Sequence, residues 1–196
     1  LKADFTWDPI DNPREYAQKI IVCIARELNK RGSLRNNIFF GGARETRGAK
    51  ITLSTLVSVV EENNLVGGKL HFYQDKYDDI EGPLRKISEL FSSIHHTFHG
   101  YSSPQGQFLL SNVGLRILFR IIQILTRYRK LNVPTVTNKE FLEDLRSILD
   151  DKLIDELKIL YGTGGKIEGS KRVILALKRK YRKKYRSIGS RVPSVP

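Results

Sequence analysis

SNVGLRILFRIIQILTRYRK, residues 111–130, contains the longest apolar run of this 196-residue chain. On a helix, its apolar residues occupy nearly every face: Val113, Leu115, Ile117, Leu118, Phe119, Ile121, Ile122, Ile124 and Leu125. A helix that is apolar all round is buried among other elements. We therefore predict that residues 111–130 form the central helix of the core. Arg116, Arg120 and Gln123 interrupt the run, which falls short of the roughly 18 apolar residues that a membrane span needs.

Three arginines of this segment, Arg116, Arg120 and Arg127, lie on one side of the predicted helix together with Gln123. Guanidinium groups on an otherwise apolar helix need carboxylates or a bound anion as partners. We expect Asp and Glu side chains of neighbouring helices to be those partners, and a bound anion is the alternative.

Amphipathic patterns on both sides of this segment predict further helices. Before the central segment, the expected helices run from Pro13 to Gly32, from Thr52 or Ser54 to about Asn64, and from Asp78 or Asp79 through Phe98. After it, they run over Phe141–Leu149, which follows a capping box at Thr137–Glu140, over Leu153–Leu160, and from beyond Gly165 through Ile188. Residues 100–106 are predicted to be a loop. The predicted fold class is mainly α, a compact multi-helix domain with at most a small β-hairpin near residues 37–53 or 69–74.

Positive charge is concentrated at the end of the chain. Residues 166–196 contain eleven Lys or Arg and one acid, Glu168, and so supply +10 of the formal net charge of +13. We predict a helical domain over residues 1–165, followed by a basic amphipathic helix and a flexible tail over residues 166–196. Because the positive charge is concentrated in one segment, it indicates a binding surface more than a general contribution to solubility.

The basic helix is the candidate nucleic-acid site. Clustered cations release the counterions condensed on phosphate backbones, which favours binding of any sequence. The alternatives are an acidic protein partner or an anionic lipid surface. Tyr181 and Tyr185 are expected to pack on the domain more than to stack on bases. The predicted phosphate-binding residues are Lys171, Arg172, Lys178, Arg179, Lys180, Arg182, Lys183, Lys184 and Arg186.

Composition limits the other classes of function. Apolar residues make up 40% and charged residues 28%, as in folded soluble proteins. The one cysteine, Cys23, lies in an apolar run and predicts a core residue in a reducing compartment. Because the N-terminus has no secretory pattern, the expected location is the cytoplasm. The chain begins at Leu1 and contains no methionine, which suggests a fragment of a longer protein.

Two short motifs resemble chemical sites but lack residues that those sites need. His95 and His99 share a helix face with metal-ligand spacing, but two ligands are too few, so histidines at a helix end are expected. The run Gly162–Lys166 lacks the length and the hydroxyl residue of a phosphate-binding P-loop, and a helix-ending glycine is expected there. We predict no catalytic residue, no metal site and no cofactor.

The glycine-bounded segment Gly41–Gly48 is a candidate contact loop. Arg44, Glu45 and Arg47 lie between its glycines, where charged side chains can approach a ligand or partner closely. An ordinary exposed connection is an equally good interpretation.

Four segments in order resemble a known family: Ile24–Asn29, Gly48–Val57, the long apolar helix, and Leu160–Gly165. Over residues 13–185 the chain resembles the helical C-terminal portion of DGQHR-domain proteins, the DndB-like and DpdB-like relatives of the ParB superfamily. The resemblance implies a role beside DNA sulfur or 7-deazaguanine modification and phage defence, with other subunits of such a complex as partners. The Asp-Gly-Gln-His-Arg motif itself is absent, so no catalytic residue transfers to this chain.

The sequence therefore supports three functional hypotheses. The first is a nucleic-acid-binding accessory or regulatory module of a DNA-modification system, with DNA favoured over RNA. The second is the non-catalytic part of a larger nuclease, ATPase or base-modifying enzyme whose active half lies elsewhere. The third is a protein-interaction scaffold.

Overall fold

The computed structural model describes residues 13–41, 51–62, 81–129, 139–160, 162–185 and 188. The described residues are mainly helical, with one pair of two-residue strands, which confirms the predicted fold class. The chain is organised as two compact units, Leu1–Ser92 and Ser93–Pro196. The division predicted at residue 165 stays a prediction.

The first unit is built on two helices that pack together, α1 (Pro13–Arg31) and α2 (Leu53–Glu62). The bounds of α1 are those predicted, since Gly32 follows the last helical residue. Thr52 caps α2, because its Oγ1 accepts a hydrogen bond from the backbone N–H of Thr55 at 3.3 Å. The core of the unit is apolar: Ile20, Ile21, Ile24, Ala25, Leu28, Leu56, Val59 and Val60. Cys23, predicted to lie in the core, is half-buried.

A short β-bridge precedes α2. Strands β1 (Ile38–Phe39) and β2 (Ile51–Thr52) pair in parallel, with Ile38 opposite Ile51. The hairpin predicted near residues 37–53 is therefore wrong in its direction, because a hairpin joins antiparallel strands whereas β1 and β2 are parallel. The alternative hairpin at residues 69–74 lies outside the described residues.

Helix α3 (Glu81–Thr97) contains the boundary between the units. The second unit continues with a 3-10 turn (Gly100–Ser102), α4 (Pro104–Leu109), α5 (Asn112–Arg129), α6 (Lys139–Ile148), α7 (Asp151–Lys158), α8 (Gly162–Lys180) and α9 (Arg182–Tyr185). Helix α5 packs against α4, α7 and α8, and its apolar residues from Leu115 to Leu125 are buried. The prediction that this segment is the central helix is confirmed for the second unit.

Residues 100–106 are not the loop that was predicted. Ser103 starts α4: its Oγ accepts the N–H of Gly106 at 3.0 Å, and Pro104 occupies the first helical position. Gly106 is required for packing here, because a Cβ at this position would overlap the carbonyl oxygen of Gly100. Gly100 and Gly106 therefore indicate that two backbone segments pack closely, more than that the connection is flexible.

The start of the last long helix also differs from the prediction. Helix α7 begins after Asp150, whose side chain accepts the N–H of Leu153 at 2.8 Å, and it ends at Lys158. Helix α8 then begins at Gly162, which has a φ of 69°, and not after Gly165. The expected helix-ending role of these glycines is therefore wrong: they form the first turn of α8.

Within the described part of the chain, none of the helices has the length and apolar character needed to cross a membrane.

Candidate nucleic-acid interface

Helices α8 and α9 together form the basic helix of the sequence prediction. The helical hydrogen bonds continue through the bend at Tyr181, whose N–H bonds the carbonyl of Leu177 at 2.8 Å and whose carbonyl accepts the N–H of Tyr185 at 3.1 Å. One side of this helix is buried against α5 and α6. Its buried residues are Ser170, Val173, Ile174, Leu177 and Tyr185, with Ile188 beyond the last turn.

A buried hydrogen bond and two ion pairs dock the end of this helix on α6. The hydroxyl of Tyr185, a residue 1% exposed, donates to Oδ2 of Asp144 at 2.6 Å. The ammonium of Lys184 forms ion pairs with Asp144 and with Glu140. Burial alone would lower the pKa of Lys184, but hydrogen bonds and charge attraction from Asp144 and Glu140 together raise it above its ordinary value. Lys184 is therefore held as a charged partner of α6.

A second set of contacts docks the same helix one turn earlier. The hydroxyls of Tyr181 and Ser147 lie 2.8 Å apart, and Nζ of Lys180 donates to the carbonyl oxygen of Ser147 at 2.9 Å. The rings of Tyr181 and Tyr185 lie 6.3 Å apart between centroids. Burial of Tyr185 agrees with the expectation that these rings face the domain.

Arg172, on the preceding turns, is also paired with acids. Its Nε lies 3.0 Å from Glu168 and its Nη1 lies 3.3 Å from Glu156 of α7. These groups are partly exposed, so the pairs add little to stability. They nevertheless neutralise Arg172 locally, as Asp144 and Glu140 neutralise Lys184.

The remaining cations divide by exposure. Arg179, Arg182 and Lys183 are exposed, and no acid among the described residues pairs with them. Their spacing of three and four places them on neighbouring positions of the outward side. Lys171 and Lys178 are half-buried, and Lys178 makes further contacts. Arg186, together with Arg44, Glu45 and Arg47 of the predicted contact loop, lies outside the described residues.

The three histidines do not assemble a metal site. His95 and His96 are exposed in the last turn of α3, and His99 lies beyond it with a φ of 56°. Nε2 of His99 lies 3.0 Å from Nη2 of Arg146. Among the described residues there is no group of three or more His, Cys, Asp or Glu side chains placed to hold a metal ion.

Of the arginines on α5, Arg120 is buried and its Nη1 donates to Oε1 of Gln123 at 3.0 Å. This contact was not predicted from the sequence, and the expected pairing of these arginines with carboxylates stays a prediction. Arg116 is half-buried beside the start of α8. The side chain of Arg127 lies outside the described residues.

Sequence reasoning missed Asp144 and Glu140 as partners of the basic helix. They are acids at helical spacing on α6, and only the folded chain brings them to Lys184, which follows Asp144 by 40 positions and Glu140 by 44. Comparison of the chain with protein-family models, with curated proteins and with solved structures finds no match to any of them.

Proposed function

We propose that this chain is a nucleic-acid-binding accessory or regulatory module that contacts phosphates through the exposed cations of α8 and α9. The observation on which the proposal rests is the group of Arg179, Arg182 and Lys183, exposed and without acidic partners in the described part of the chain. Cations in this state gain most from phosphate contact, because they lose no existing ion pair and release condensed counterions.

Arg172 and Lys184 have a different role in this proposal. Their acidic partners reduce the positive potential that they present, so we assign them to docking of the helix. The proposed phosphate-binding residues among those described are therefore the exposed cations Arg179, Arg182 and Lys183. Arg186 remains in the set as a prediction from the sequence.

DNA is the favoured nucleic acid, and the proposed setting is a cytoplasmic DNA-modification or phage-defence complex. This part of the proposal is supported by the resemblance to DGQHR-domain proteins. In such a setting the exposed cations would hold DNA, while the rest of the chain would contact other subunits.

The test is fluorescence anisotropy of labelled duplex and single-stranded DNA across a salt series. Each phosphate neutralised on B-DNA contributes about 0.9 to the slope of log K against log salt. Replacing Arg179, Arg182 and Lys183 by Gln should therefore lower the slope by up to about 2.7 and weaken binding most at low salt.

The matched control removes three exposed cations elsewhere, with Arg26, Arg35 and Lys152 changed to Gln. Both triple variants lose the same formal charge, so a purely global electrostatic effect would weaken binding equally in the two. Equal weakening, or binding by the parent chain that does not depend on salt, would refute the proposed interface.

An acidic protein is the second candidate partner. The observation that favours it is Leu175, 48% exposed and one turn before Arg179 on the basic helix. An exposed apolar side chain among cations suits a protein surface, whereas phosphate contact does not require it. Competition by poly-L-glutamate as effective as that of DNA at equal charge, and loss of the poly-L-glutamate complex in Leu175→Ser, would favour this second candidate.

A further inference from the structure

The first unit contains a cleft of about 520 Å³ between the last turns of α1 and one face of α3. A water molecule occupies about 30 Å³ of the liquid, so the cleft has room for about 17 waters, or for a small organic molecule with water around it. Ligand pockets of proteins commonly have volumes of this order. The cleft shares no residue with the basic helix, which belongs to the second unit.

The α3 wall of the cleft carries polar groups without partners. Its residues share one helix face through their spacing of three and four: Glu81, Leu84, Arg85, Ser88 and Ser92. Arg85 and Ser92 are exposed and Ser88 is half-buried. Within the described part of the chain, these three side chains make no hydrogen bond or ion pair. A guanidinium and two hydroxyls are therefore available to a ligand, with no internal contact to lose.

The α1 wall disfavours negative charge. Glu27 lies in this wall with its side chain 12% exposed, and its two carboxylate oxygens pair with Lys30 at 3.2 Å and with Arg31 at 3.1 Å. Helix α1 ends at Arg31, and the C-terminal end of a helix carries partial negative charge. A negative group of a ligand should therefore lie on the α3 side, beside Arg85, and neutral hydroxyls should lie beside the end of α1.

A further hydroxyl lies in the wall just beyond α1. Ser33 lines the cleft, and its Oγ is buried without a hydrogen-bond partner in the described part of the chain. A buried hydroxyl without a partner is destabilising, so binding of a group that pairs with it is favoured. Rotation about the Cα–Cβ bond of Ser33 is the change that would turn this hydroxyl toward a ligand.

We propose that this cleft binds a small hydroxycarboxylate, a molecule with one carboxylate and several hydroxyls. The guanidinium of Arg85 offers paired N–H donors that match the two oxygens of a carboxylate. Ser88 and Ser92 both donate and accept hydrogen bonds, as the hydroxyls of such a ligand do. Two arginines and two glutamates line the cleft, so a second negative charge on the ligand would lie near Glu27 and Glu81 without an unpaired cation to balance it.

The test is a titration of the full chain with sodium gluconate at constant ionic strength, followed by ¹⁵N NMR and calorimetry. Glucose and glucose 6-phosphate are the matched probes, because they share the polyol body but carry no charge and up to two negative charges. Saturable shifts are expected in the backbone amides of residues 28–33 and 85–92, with gluconate bound about tenfold more tightly than glucose. Shifts that do not saturate, glucose bound as tightly as gluconate, or glucose 6-phosphate bound more tightly than gluconate would overturn the proposal.

Arg85→Gln should weaken gluconate binding about tenfold, which is the lower end for a charge-assisted hydrogen bond because Arg85 is exposed. The matched control is Arg26→Gln, which removes an exposed cation of α1 that does not line the cleft. Both variants lose one positive charge, so equal weakening would assign the effect to net charge and overturn the proposal. Circular dichroism would verify that both variants are folded.

Ser33→Ala separates ligand binding from a structural role. It removes a buried hydroxyl that has no partner, so the stability of the free chain should be unchanged or higher. Gluconate binding should nevertheless weaken about threefold, as expected for one neutral hydrogen bond. Gluconate binding that is unchanged in both Ser33→Ala and Arg85→Gln would overturn the proposed site.

Discussion

Tyr185→Phe should destabilise the second unit by removing one buried hydrogen bond. The hydroxyl of Tyr185 donates to Asp144 at 2.6 Å, and the two residues are 1% and 8% exposed. Phenylalanine keeps the ring and nearly all of its volume, so the cavity term is small. The change therefore isolates the hydroxyl that joins α9 to α6.

The magnitude follows from the charge on the acceptor. A hydrogen bond to a charged group contributes about 1.5 to 3 kcal/mol. Asp144 keeps its ion pair with Lys184 in the variant and is not left without a partner. We therefore expect the free energy of unfolding to fall by about 1.5 to 2 kcal/mol, the lower part of that interval.

Urea unfolding followed by circular dichroism would measure this loss, with amide hydrogen exchange in α8 and α9 as a local readout. The control is Tyr181→Phe, which removes the same atom from an exposed hydroxyl pair with Ser147. That variant should change the free energy by about 0.5 kcal/mol or less. If both variants lose the same stability, or if Tyr185→Phe loses less than about 0.5 kcal/mol, the docking of α9 on α6 is not as described.

Three further substitutions test the packing and the titration of the second unit. Gly114→Ala should lower the free energy of unfolding by about 1 to 3 kcal/mol or more, because a Cβ there overlaps the carbonyl oxygen of Phe108. Gly164→Ala meets open space and should raise that free energy by up to about 1 kcal/mol. Thermal unfolding would distinguish the two variants, and equal shifts of the melting temperature would contradict the described packing. Burial raises the pKa of Tyr101 above its unfolded value of about 10, so its contribution to stability is full below that pH and is lost as the pH rises above it. Between about pH 9 and about pH 11, the free energy of unfolding measured in urea should fall more for the parent chain than for Tyr101→Phe. An equal fall in both would show that Tyr101 is not the source of this pH dependence.

The two long helices α1 and α5 were predictable because their signals are local. In α1 the apolar spacing, the proline at the first position and the glycine after the last position agree on one answer. In α5 an apolar surface on nearly every face predicts burial whatever the neighbours are. Local periodicity thus determined both the type and the bounds of these elements.

Local signals were misinterpreted where glycines lie close together. Ser103 and Pro104 form an ordinary helix start, but Gly100 and Gly106 on either side suggested a loop. In the fold Gly106 permits contact between backbones, a requirement that depends on a neighbour brought close by the tertiary structure. At the start of α8 the same requirement holds for Gly165, where a Cβ would lie 2.8 Å from the carbonyl carbon of Leu160, whereas Gly162 and Gly164 face open space.

The candidate site was predictable as a charge pattern but not as a surface. The sequence indicates which residues are basic, whereas their pairing depends on helices that meet only in the fold. Arg172 meets Glu156 across 16 positions, and Lys184 meets Glu140 across 44.

Attachment of α9 to α6 holds the proposed phosphate-binding cations on an ordered helix. A disordered tail of the same composition would lose about 1 to 2 kcal/mol of backbone entropy for each residue that it orders on binding. Here that ordering has already occurred during folding, so only the long side chains of Arg179, Arg182 and Lys183 still have rotamer freedom to lose. Under the proposed function, most of the free energy from counterion release would therefore remain available to hold the nucleic acid.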